Sequence, residues 1–591
     1  RIPYIYHLGG LVSVLNSDII QSVDYLPGGY SVRYGRSLGG VVDVTTRKTA
    51  PEQGRIVWST DVLDTSVFYE GQHGEDGNHH VAIAGRSSYI DKLLQFYPGE
   101  LGSLAKPRWY DYQLRYHHES ERPFTALVFG FDDILLLGEG ASSTESSEDT
   151  LGLHYFTHRA LINYEVPLSD RFLFRLTPSM GVDGVYTYVG SAFQLEQLQY
   201  LYEMRAEAEW NPTDKLTLLG GVDFIGGLGE FEVTLPFRPV DVLDDDPLGE
   251  DEAITFGDSI WAWGPDIYLQ AKWRPLEDPD ALLIAPGLRT SFVSIPDLYN
   301  TYGLDPRVSF RARLLPETFL KGGTGIYTQP PQPFESWAPA GEVNLGMEKS
   351  WSTALGIEHR IGQATSVDIE GFYKTLSDLI VDNPELTDPS TQQPYVNDGL
   401  GRVYGMEMMI RREPIGNFFG WISYTLSKSE RQDYPSYTDE ELEDSATGQR
   451  GPPTDNEWYP FAYDQTHIFV AVAGYKLPFG IDISSRFSYV TGNPFTPYSL
   501  GIYDIDSNNY TAFQDGDLNS ERMEPYLAWD LRGEKSFVFR NAKLDTYIEL
   551  LNLVKGENPE FITYNYDYTE STSVSGLPFI PSIGFNLEVR L

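Results

Sequence analysis

Apolar and polar side chains alternate with a period of two from about residue 53 to the end of the chain. Side chains on a β-strand point alternately to its two faces, so this period predicts strands. In the last such segment, one face carries only apolar residues and the other carries glycine and polar residues. The apolar set is Ile583, Phe585, Leu587, Val589 and Leu591. The pattern predicts an antiparallel sheet with one apolar and one polar face.

The segment 307–314 indicates what occupies the polar face. Arg307, Arg311 and Arg313 alternate there with apolar residues. Charges on one face and apolar side chains on the other fit a membrane barrel with a lipid-facing outside and a wet lumen. A soluble antiparallel sandwich alternates in the same way and is the rival interpretation.

The connections between these segments favour the barrel, because short and long connections alternate along the chain. Short turns are rich in Gly, Pro, Asn and Asp, which fix or permit turn conformations. About ten short turns and about eleven loops give about 22 strands. Outer-membrane barrels likewise have short turns at one end, long loops at the other end and an even number of strands. A barrel of this size has a lumen wide enough to need a plug. The longer loops fall near 92–107, 140–150, 237–258, 331–348, 384–398, 431–462, 492–523 and 554–580.

The amino-acid composition excludes several kinds of partner and binding site. The 591 residues include 43 Lys plus Arg against 85 Asp plus Glu, a net charge of −42. Nucleic-acid binding needs clustered positive charge, so we predict no nucleic-acid partner. The chain has no cysteine, which excludes disulfides and thiolate metal sites. There is no run of 18 apolar residues, so no transmembrane helix is predicted, and a transmembrane β-barrel stays open.

The segment from Asp18 to Lys48 reads as extended pieces broken by glycine turns. Glycine tolerates the positive φ that such turns use. Its sequence VDYLPGG, then YG, then GGVVDVTTR resembles the end of the plug domain of TonB-dependent outer-membrane receptors. Later segments are similar to the same family, among them LIAPGLRTSFV, NLGMEKSWSTALGIEHR, YGMEMMIRR and LLNLVKGENPEF.

The resemblance implies an all-β fold, a transmembrane antiparallel barrel of about 22 strands with a partial plug in its lumen. Residues 1–52 would be the C-terminal part of the plug and residues 53–591 the barrel. It implies a receptor in the outer membrane of a Gram-negative bacterium, surrounded by lipid and lipopolysaccharide. Such a receptor takes up a small-molecule ligand with energy from a TonB complex. No G-x-S-x-G, H-E-x-x-H or P-loop motif occurs, so we predict no enzyme and no cofactor.

The resemblance also implies that the end of the plug, from Asp24 to Arg47, is fixed to the barrel wall through charge pairs. We expect Asp24, Arg33 and Arg36 to pair with lumen residues that include Arg307 and Glu407. The candidate anchoring residues are Asp24, Pro27, Gly28, Gly29, Arg33, Tyr34, Gly35, Arg36, Gly39 and Gly40, and the candidate lumen charges are Arg307, Arg311, Arg313 and Glu407.

Two acidic loops, 241–258 and 433–457, have two interpretations. They are a solvated outer surface balanced by divalent ions, or a negative funnel that attracts cations and disfavours anionic ferric siderophores. A separate calcium loop is a further candidate, because its oxygen-bearing residues occupy alternate positions, although the EF-hand glycine and distal Glu are missing. Its residues are Asp515, Asp517, Asn519 and Glu521.

Two functions remain open from the sequence. The first is TonB-dependent uptake of a scarce nutrient, siderophore-like or another small ligand. The second is a receptor-like barrel that serves as a surface scaffold, adhesin or secretion partner of other envelope proteins, without active transport. No motif identifies the ligand.

Overall fold

The computed structural model describes residues 1–591 except 9, 11, 95–104, 138–150, 190–192, 237–252, 297, 333–334, 336–344, 385–393, 437–456, 505–508, 515, 555–557, 566 and 577–578. Its strands follow in chain order. They are β1 (Tyr6–His7), β2 (Val12–Ser13), β3 (Ile20–Leu26), β4 (Val41–Thr46), β5 (Arg55–Thr60), β6 (Asp64–His73), β7 (His79–Ser88), β8 (Ala105–His118), β9 (Phe124–Leu137), β10 (Leu151–Ser169), β11 (Phe172–Val189), β12 (Phe193–Thr213), β13 (Leu216–Pro236), β14 (Ala253–Trp273), β15 (Leu282–Ile295), β16 (Tyr299–Leu315), β17 (Thr318–Gln329), β18 (Glu348–Ile361), β19 (Thr365–Asp382), β20 (Tyr395–Arg412), β21 (Phe418–Gln432), β22 (Tyr459–Pro460), β23 (His467–Leu477), β24 (Ile481–Val490), β25 (Pro494–Phe495), β26 (Tyr498–Asp504), β27 (Asn509–Gln514), β28 (Glu521–Arg522), β29 (Tyr526–Val538), β30 (Ala542–Leu551), β31 (Pro559–Tyr564), β32 (Ser571–Ser575) and β33 (Ile580–Arg590).

Helical structure is confined to two short pieces in the described part of the chain. A 3-10 turn spans Ser17–Ile19, and an α-helix spans Ile90–Leu94. Within the described residues, no helix has the length and apolar character needed to cross a membrane.

The strands close into a 22-stranded antiparallel barrel, as the connection lengths predict. The last strand, β33, pairs with the first barrel strand, β5, and closes the ring. One barrel strand is interrupted, since β22 and β23 both pair with β21. The predicted plug boundary at residue 52 falls between the end of β4 at Thr46 and the start of β5 at Arg55.

The two faces of the barrel wall match the predicted alternation. In β16, buried and exposed residues alternate strictly from Tyr299 to Val308. Leu304 is 54% exposed on the outer face, whereas its neighbour Asp305 is fully buried on the lumen side. Apolar side chains therefore face outward toward lipid, and charged ones face the lumen, as in transmembrane barrels.

The first 50 residues lie inside this lumen, because their contacts are with buried, inward-facing wall residues. β3 and β4 pair as a short antiparallel ribbon. Below the ribbon, Ile19 packs against Val57, Phe68 and two inward alanines of the wall. We call the end of the barrel with the long connections the outer end, and residues 18–48 the plug tail.

Two predicted loops contain strands of their own. The connection 492–523 includes the hairpin β26–β27 and the pair β25–β28, and the connection 554–580 includes the hairpin β31–β32. The two hairpins meet through Tyr498, whose ring lies 5.4 Å from that of Tyr564. Both hairpins belong to the outer end.

Candidate functional site

The plug tail meets the barrel wall at Arg36, whose side chain bonds to β14. Its Nη2 lies 2.8 Å from Oδ1 of Asp266, and its Nε lies 3.1 Å from Oδ2 of the same carboxylate. The same Nη2 donates to the carbonyl of Gly264 at 2.8 Å. Asp266 is fully buried, and the Arg36 side chain is 7% exposed. This two-pronged contact has the geometry of the strongest charge-assisted hydrogen bonds.

A second arginine, Arg289 on β15, shares Asp266 with Arg36. Its Nη2 lies 2.5 Å from Oδ2 of Asp266 and 2.7 Å from Oδ2 of Asp223. Its Nη1 donates to the plug-tail carbonyls of Val32, at 3.0 Å, and Arg33. Arg289 therefore ties two wall carboxylates to the plug backbone with a fully buried guanidinium.

Arg205 on β12 completes this group. It bonds to Asp223 at 2.6 Å and donates to the carbonyl of Arg33 at 3.2 Å. We call Arg36, Arg205, Arg289, Asp223 and Asp266 the arginine–aspartate cluster. Three cations and two carboxylates meet in it, so loss of either carboxylate leaves buried positive charge without a partner.

Two further contacts flank the cluster. Arg33 lies 2.9 Å from the buried carboxylate of Glu207 on β12. Arg307 on β16 donates to the carbonyl of Tyr34 at 2.7 Å, and its guanidinium lies between the rings of Tyr30 and Tyr327, at 4.9 and 4.1 Å. The structure thus brings Arg33, Arg36 and Arg307 together at the plug–wall contact.

Other predicted charges lie elsewhere. Asp24 accepts a bond from Ser22 on its own strand and makes no ion pair within the described residues. Its side chain is exposed, and no contact with the charges of the wall accompanies it among the described residues. The charged neighbours of Glu407 are residues of the wall, among them Lys374 and Lys321.

Arg311 and Arg313 bind wall residues instead of the plug. Arg311 lies 3.0 Å from Glu358, and Arg313 bonds to Asp278 in a short turn at the inner end. Both lie beyond the reach of the plug tail, because each step of two along β16 moves a lumen side chain about 7 Å toward the inner end.

The predicted glycines serve two different needs. Gly29 alone among the five has a positive φ, of 63°. Gly40 and Gly35 are required by close approach, since a Cβ on Gly40 would lie 2.9 Å from the carbonyl oxygen of Leu26. Pro27 contributes its carbonyl, which accepts a bond from Lys374 at 2.8 Å. Positive φ occurs at Arg36 as well, at 60°, although it is not a glycine.

Gly35→Ala is expected to loosen the plug tail. The new methyl group would lie 2.2 Å from Nε of Arg289, which is buried and cannot move without breaking its bonds to the two aspartates. Overpacking of this kind typically costs about 1–3 kcal/mol. Gly39→Ala is the matched control, since nothing lies within 4 Å of its Cβ position. Protease sensitivity of the plug tail should rise in the first variant only, and equal sensitivity in both would contradict the steric argument.

Sequence reasoning missed His7, which is fully buried at a second plug–wall contact. Its Nδ1 lies 2.5 Å from Asp133 on β9, and its Nε2 lies 3.2 Å from Asp111 on β8. Carboxylates only accept hydrogen bonds, so both ring nitrogens must carry protons. Burial lowers the pKa of His7, but the bonds to Asp111 and Asp133 outweigh burial and the pKa is raised above 6.5. Nothing in the motif IPYIYHLGG signals this role.

The calcium prediction stays a prediction. Asp515 lies outside the described residues, Asp517 lies in the connection between β27 and β28, and Glu521 lies on β28. The side-chain amide of Asn519 donates to the carbonyl of Pro460, and its oxygen accepts a bond from Thr496. Among the described residues, no group of three His, Asp or Glu side chains has the arrangement of a metal site. Most of the two acidic loops, 241–258 and 433–457, lies outside the described residues, which omit 237–252 and 437–456.

A cavity of about 860 Å³ opens on the outer side of the arginine–aspartate cluster. Arg36 forms part of its floor, and the strands from β10 to β17 form its wall. Arg1, Ile2 and Pro3 line the cavity beside Arg36. A ligand that enters from the outer end would meet the cluster here.

The fold agrees with solved transporters. The ferric citrate transporter FecA in its unliganded form has a TM-score of 0.68 at 14% identity, covering 98% of this chain and 85% of that chain. The siderophore receptor PiuA from Acinetobacter baumannii has a TM-score of 0.71 at 10% identity, covering 97% and 87%. The outer membrane transporter YddB from Escherichia coli has a TM-score of 0.68 at 12% identity, covering 100% and 87%. Identities this low show the fold alone.

Sequence comparison supplies the family. No curated protein matches the chain. The family model for the TonB dependent receptor-like β-barrel matches residues 16–553, which is most of the chain and includes the plug tail as well as most of the barrel. The chain therefore belongs to the TonB-dependent receptor β-barrel family.

Proposed function

We propose that this protein is an outer-membrane receptor of a Gram-negative bacterium that imports a small nutrient with energy from a TonB complex. The observation that carries the proposal is the arginine–aspartate cluster, which fixes a plug tail across the lumen of a closed barrel through individually breakable bonds. A barrel of 22 strands without such a closure would leave an open pore. Family membership supports receptor and transport roles over an enzymatic one.

The contacts between the plug tail and the barrel wall are of a kind that allows the plug tail to move. The plug tail is held by hydrogen-bonded ion pairs and backbone carbonyls rather than by a large apolar interface. Among the described residues, the apolar clusters that join it to the wall are small, such as Val32 with Leu219 and Tyr268. Ion pairs can exchange partners with water once a path for solvent opens, so a pulling force can break them one after another. The names of FecA and PiuA, a ferric citrate transporter and a siderophore receptor, suggest an iron-containing nutrient.

The test is uptake in a host strain that lacks the receptor. The full-length protein is expressed with and without the host's TonB complex, and growth is measured under iron limitation with ferric citrate, a ferric trihydroxamate, a ferric tricatecholate or cobalamin. We expect TonB-dependent growth with one of these. Growth that is the same with and without the receptor on every nutrient would favour the alternative, a surface scaffold or adhesin.

A disulfide tether tests whether the plug tail must move. A Cβ on Gly28 would lie 3.4 Å from Oγ of Ser352 on β18, which suits a disulfide between cysteines at these positions. The chain has no other cysteine, so no mispairing arises within it. We expect the double variant Gly28→Cys, Ser352→Cys to lose uptake when oxidised and to regain it with reductant. The two single variants are the controls, and full uptake by the oxidised double variant would show that this part of the plug stays in place.

A further inference from the structure

Arg115 is an arginine of the barrel wall whose charge is buried without a partner. It lies on the lumen face of β8 and is fully buried. Among the described residues, none of its three guanidinium nitrogens has a hydrogen-bond partner. Arg289 is equally buried, yet its guanidinium bonds to two carboxylates and to two plug-tail carbonyls. A buried charge without a partner is costly, so Arg115 destabilises the arrangement in which the plug tail covers it.

Arg115 lies in one row with a carboxylate on the same face of the wall. The strand registers place Arg55, Glu70, Ala82 and Arg115 side by side on β5, β6, β7 and β8. Glu70 is buried, and its Oε1 lies 2.7 Å from Nε of Arg55. Neighbouring strands are about 4.8 Å apart, so Glu70 and Arg115 are separated by two strand spacings. In this row, only the methyl group of Ala82 stands between them.

The plug tail covers the alanine that lies between these two side chains. Ile19 is buried in one apolar cluster with Ala82 and with other inward-facing wall residues. Arg47, just after β4, donates its backbone N–H to the carbonyl of Ile19 at 3.0 Å. The Nη1 atom of Arg47 lies 3.6 Å from Oε1 of Glu70. The plug tail therefore places an apolar side chain over Ala82 and supplies its own arginine to Glu70.

An arginine of this barrel can reach a carboxylate that is two strands away. Arg289 on β15 bonds to Asp223 on β13 at 2.7 Å, across the intervening strand β14. Glu70 and Arg115 have the same separation, across β7. A glutamate side chain is one methylene longer than an aspartate side chain, so the pair is within reach. Once Ile19 has left Ala82, nothing in the row keeps the two charges apart.

We infer that Glu70 exchanges Arg47 of the plug tail for Arg115 of the wall when the plug tail leaves its place. Before release, Arg115 is buried and unpaired. After release, water enters the lumen, Arg115 is hydrated and Glu70 gains it as a partner. The exchange lowers the free energy that release requires, because it relieves the buried charge and replaces a lost ion pair. The inference rests on the proposed function, in which the plug tail moves, and assigns a wall residue that promotes the movement.

The test is hydrogen exchange of the plug tail in the purified full-length protein in nanodiscs, read from peptides that cover residues 18–26 and 41–48. Arg115→Met removes the charge and keeps an unbranched side chain. We expect exchange to slow at least about tenfold, since an apolar side chain in place of a poorly paired buried charge is often stabilising. Arg289→Met is the matched comparison, because it removes an equally buried but fully bonded guanidinium and should accelerate exchange. Faster or unchanged exchange in Arg115→Met would overturn the inference.

A double-mutant cycle tests the exchange of partners itself. In a Glu70→Gln background, Arg115→Met should slow exchange less than in the wild type, because Arg115 then gains no carboxylate on release. An equal or larger effect would mean that Glu70 is not the partner of Arg115 in the released state, and the inference would be wrong.

Arg115→Leu serves as a second variant that should act in the same direction, and the gel mobility of unheated protein checks that each barrel is folded. The exchange experiment needs neither a nutrient nor a TonB complex. Its outcome is therefore independent of the uptake test, and a failure here leaves the proposed function standing.

Discussion

Asp266→Ala is expected to release the plug tail from the barrel wall. The substitution removes the carboxylate that two buried guanidinium groups share, those of Arg36 and Arg289. Breaking a buried pair by removing one partner typically costs about 3–5 kcal/mol, because the remaining charge stays buried. Here two cations lose a partner, although Arg289 keeps Asp223. We expect the free energy of opening of the plug tail, measured by hydrogen exchange of peptides that cover residues 28–40, to fall by about this amount.

The control is Asp214→Ala, which removes a carboxylate that pairs with Arg171 at the protein surface and is 96% exposed. Exchange of the plug tail should not change in this variant. A double-mutant cycle with Arg36→Ala sharpens the result, since removing Arg36 should cost much less once Asp266 is absent. Additive effects of the two substitutions would mean that the observed contact does not hold the plug tail.

The barrel itself could be predicted from the chain because its signal is local. Alternation with a period of two, short turns rich in Gly, Pro and Asp, and long loops in between are all visible within a few residues of one another. The lumen position of Arg307 follows from parity along one strand. Parity also assigns Asp223, Asp266 and Arg289 to the lumen, so their inward orientation could have been found.

The contacts that these lumen side chains make with one another and with the plug could not have been predicted. Arg36 and Asp266 are 230 residues apart, and their meeting depends on the register of every strand between β5 and β14. A shift of one residue in any pairing would turn the following side chains to the other face. Proximity along the sequence does not predict these contacts either: Asp24 lies near Arg33 and Arg36 in the chain, yet its side chain is exposed and lies opposite Asp43 in the β3–β4 ribbon.

The composition of the lumen also escaped prediction. The alternation is equally strong where residues on the lumen face are apolar, such as Ile225, Phe231 and Val233 of β13, and a period alone does not say which face is inside. The three strands β12, β13 and β14 each have 21 residues, about twice what a tilted strand needs to cross a membrane. Their outer halves therefore extend beyond the bilayer, where apolar side chains such as Phe231 line a cavity instead of facing lipid.

Raising the pH is expected to loosen the second plug–wall contact, at His7. The imidazolium is held by Asp111 and Asp133, which themselves bond to Arg86, at 2.9 Å, and to the amide of Leu8, at 3.0 Å. Because the pKa of His7 is higher in the folded protein than the ordinary 6.5, these bonds stabilise the plug fully below pH 6.5. Their contribution is lost as the pH rises through the folded pKa.

The measurement is the rate at which proteinase K cleaves residues 1–15 of the folded protein, followed from pH 6 to pH 9. In the wild type we expect slow cleavage at the lower pH and a rise at alkaline pH. His7→Gln should cleave rapidly at every pH, since a neutral amide cannot pair with two buried carboxylates, whose loss of a partner typically costs about 3–5 kcal/mol. His359→Gln is the control, because His359 bonds only to the hydroxyl of Thr318 near the inner end. A cleavage rate in the wild type that falls with pH would mean that His7 is neutral in the folded protein. The charged contacts that hold the plug would then be those of the arginine–aspartate cluster and its neighbours, whose guanidinium groups stay charged over this range.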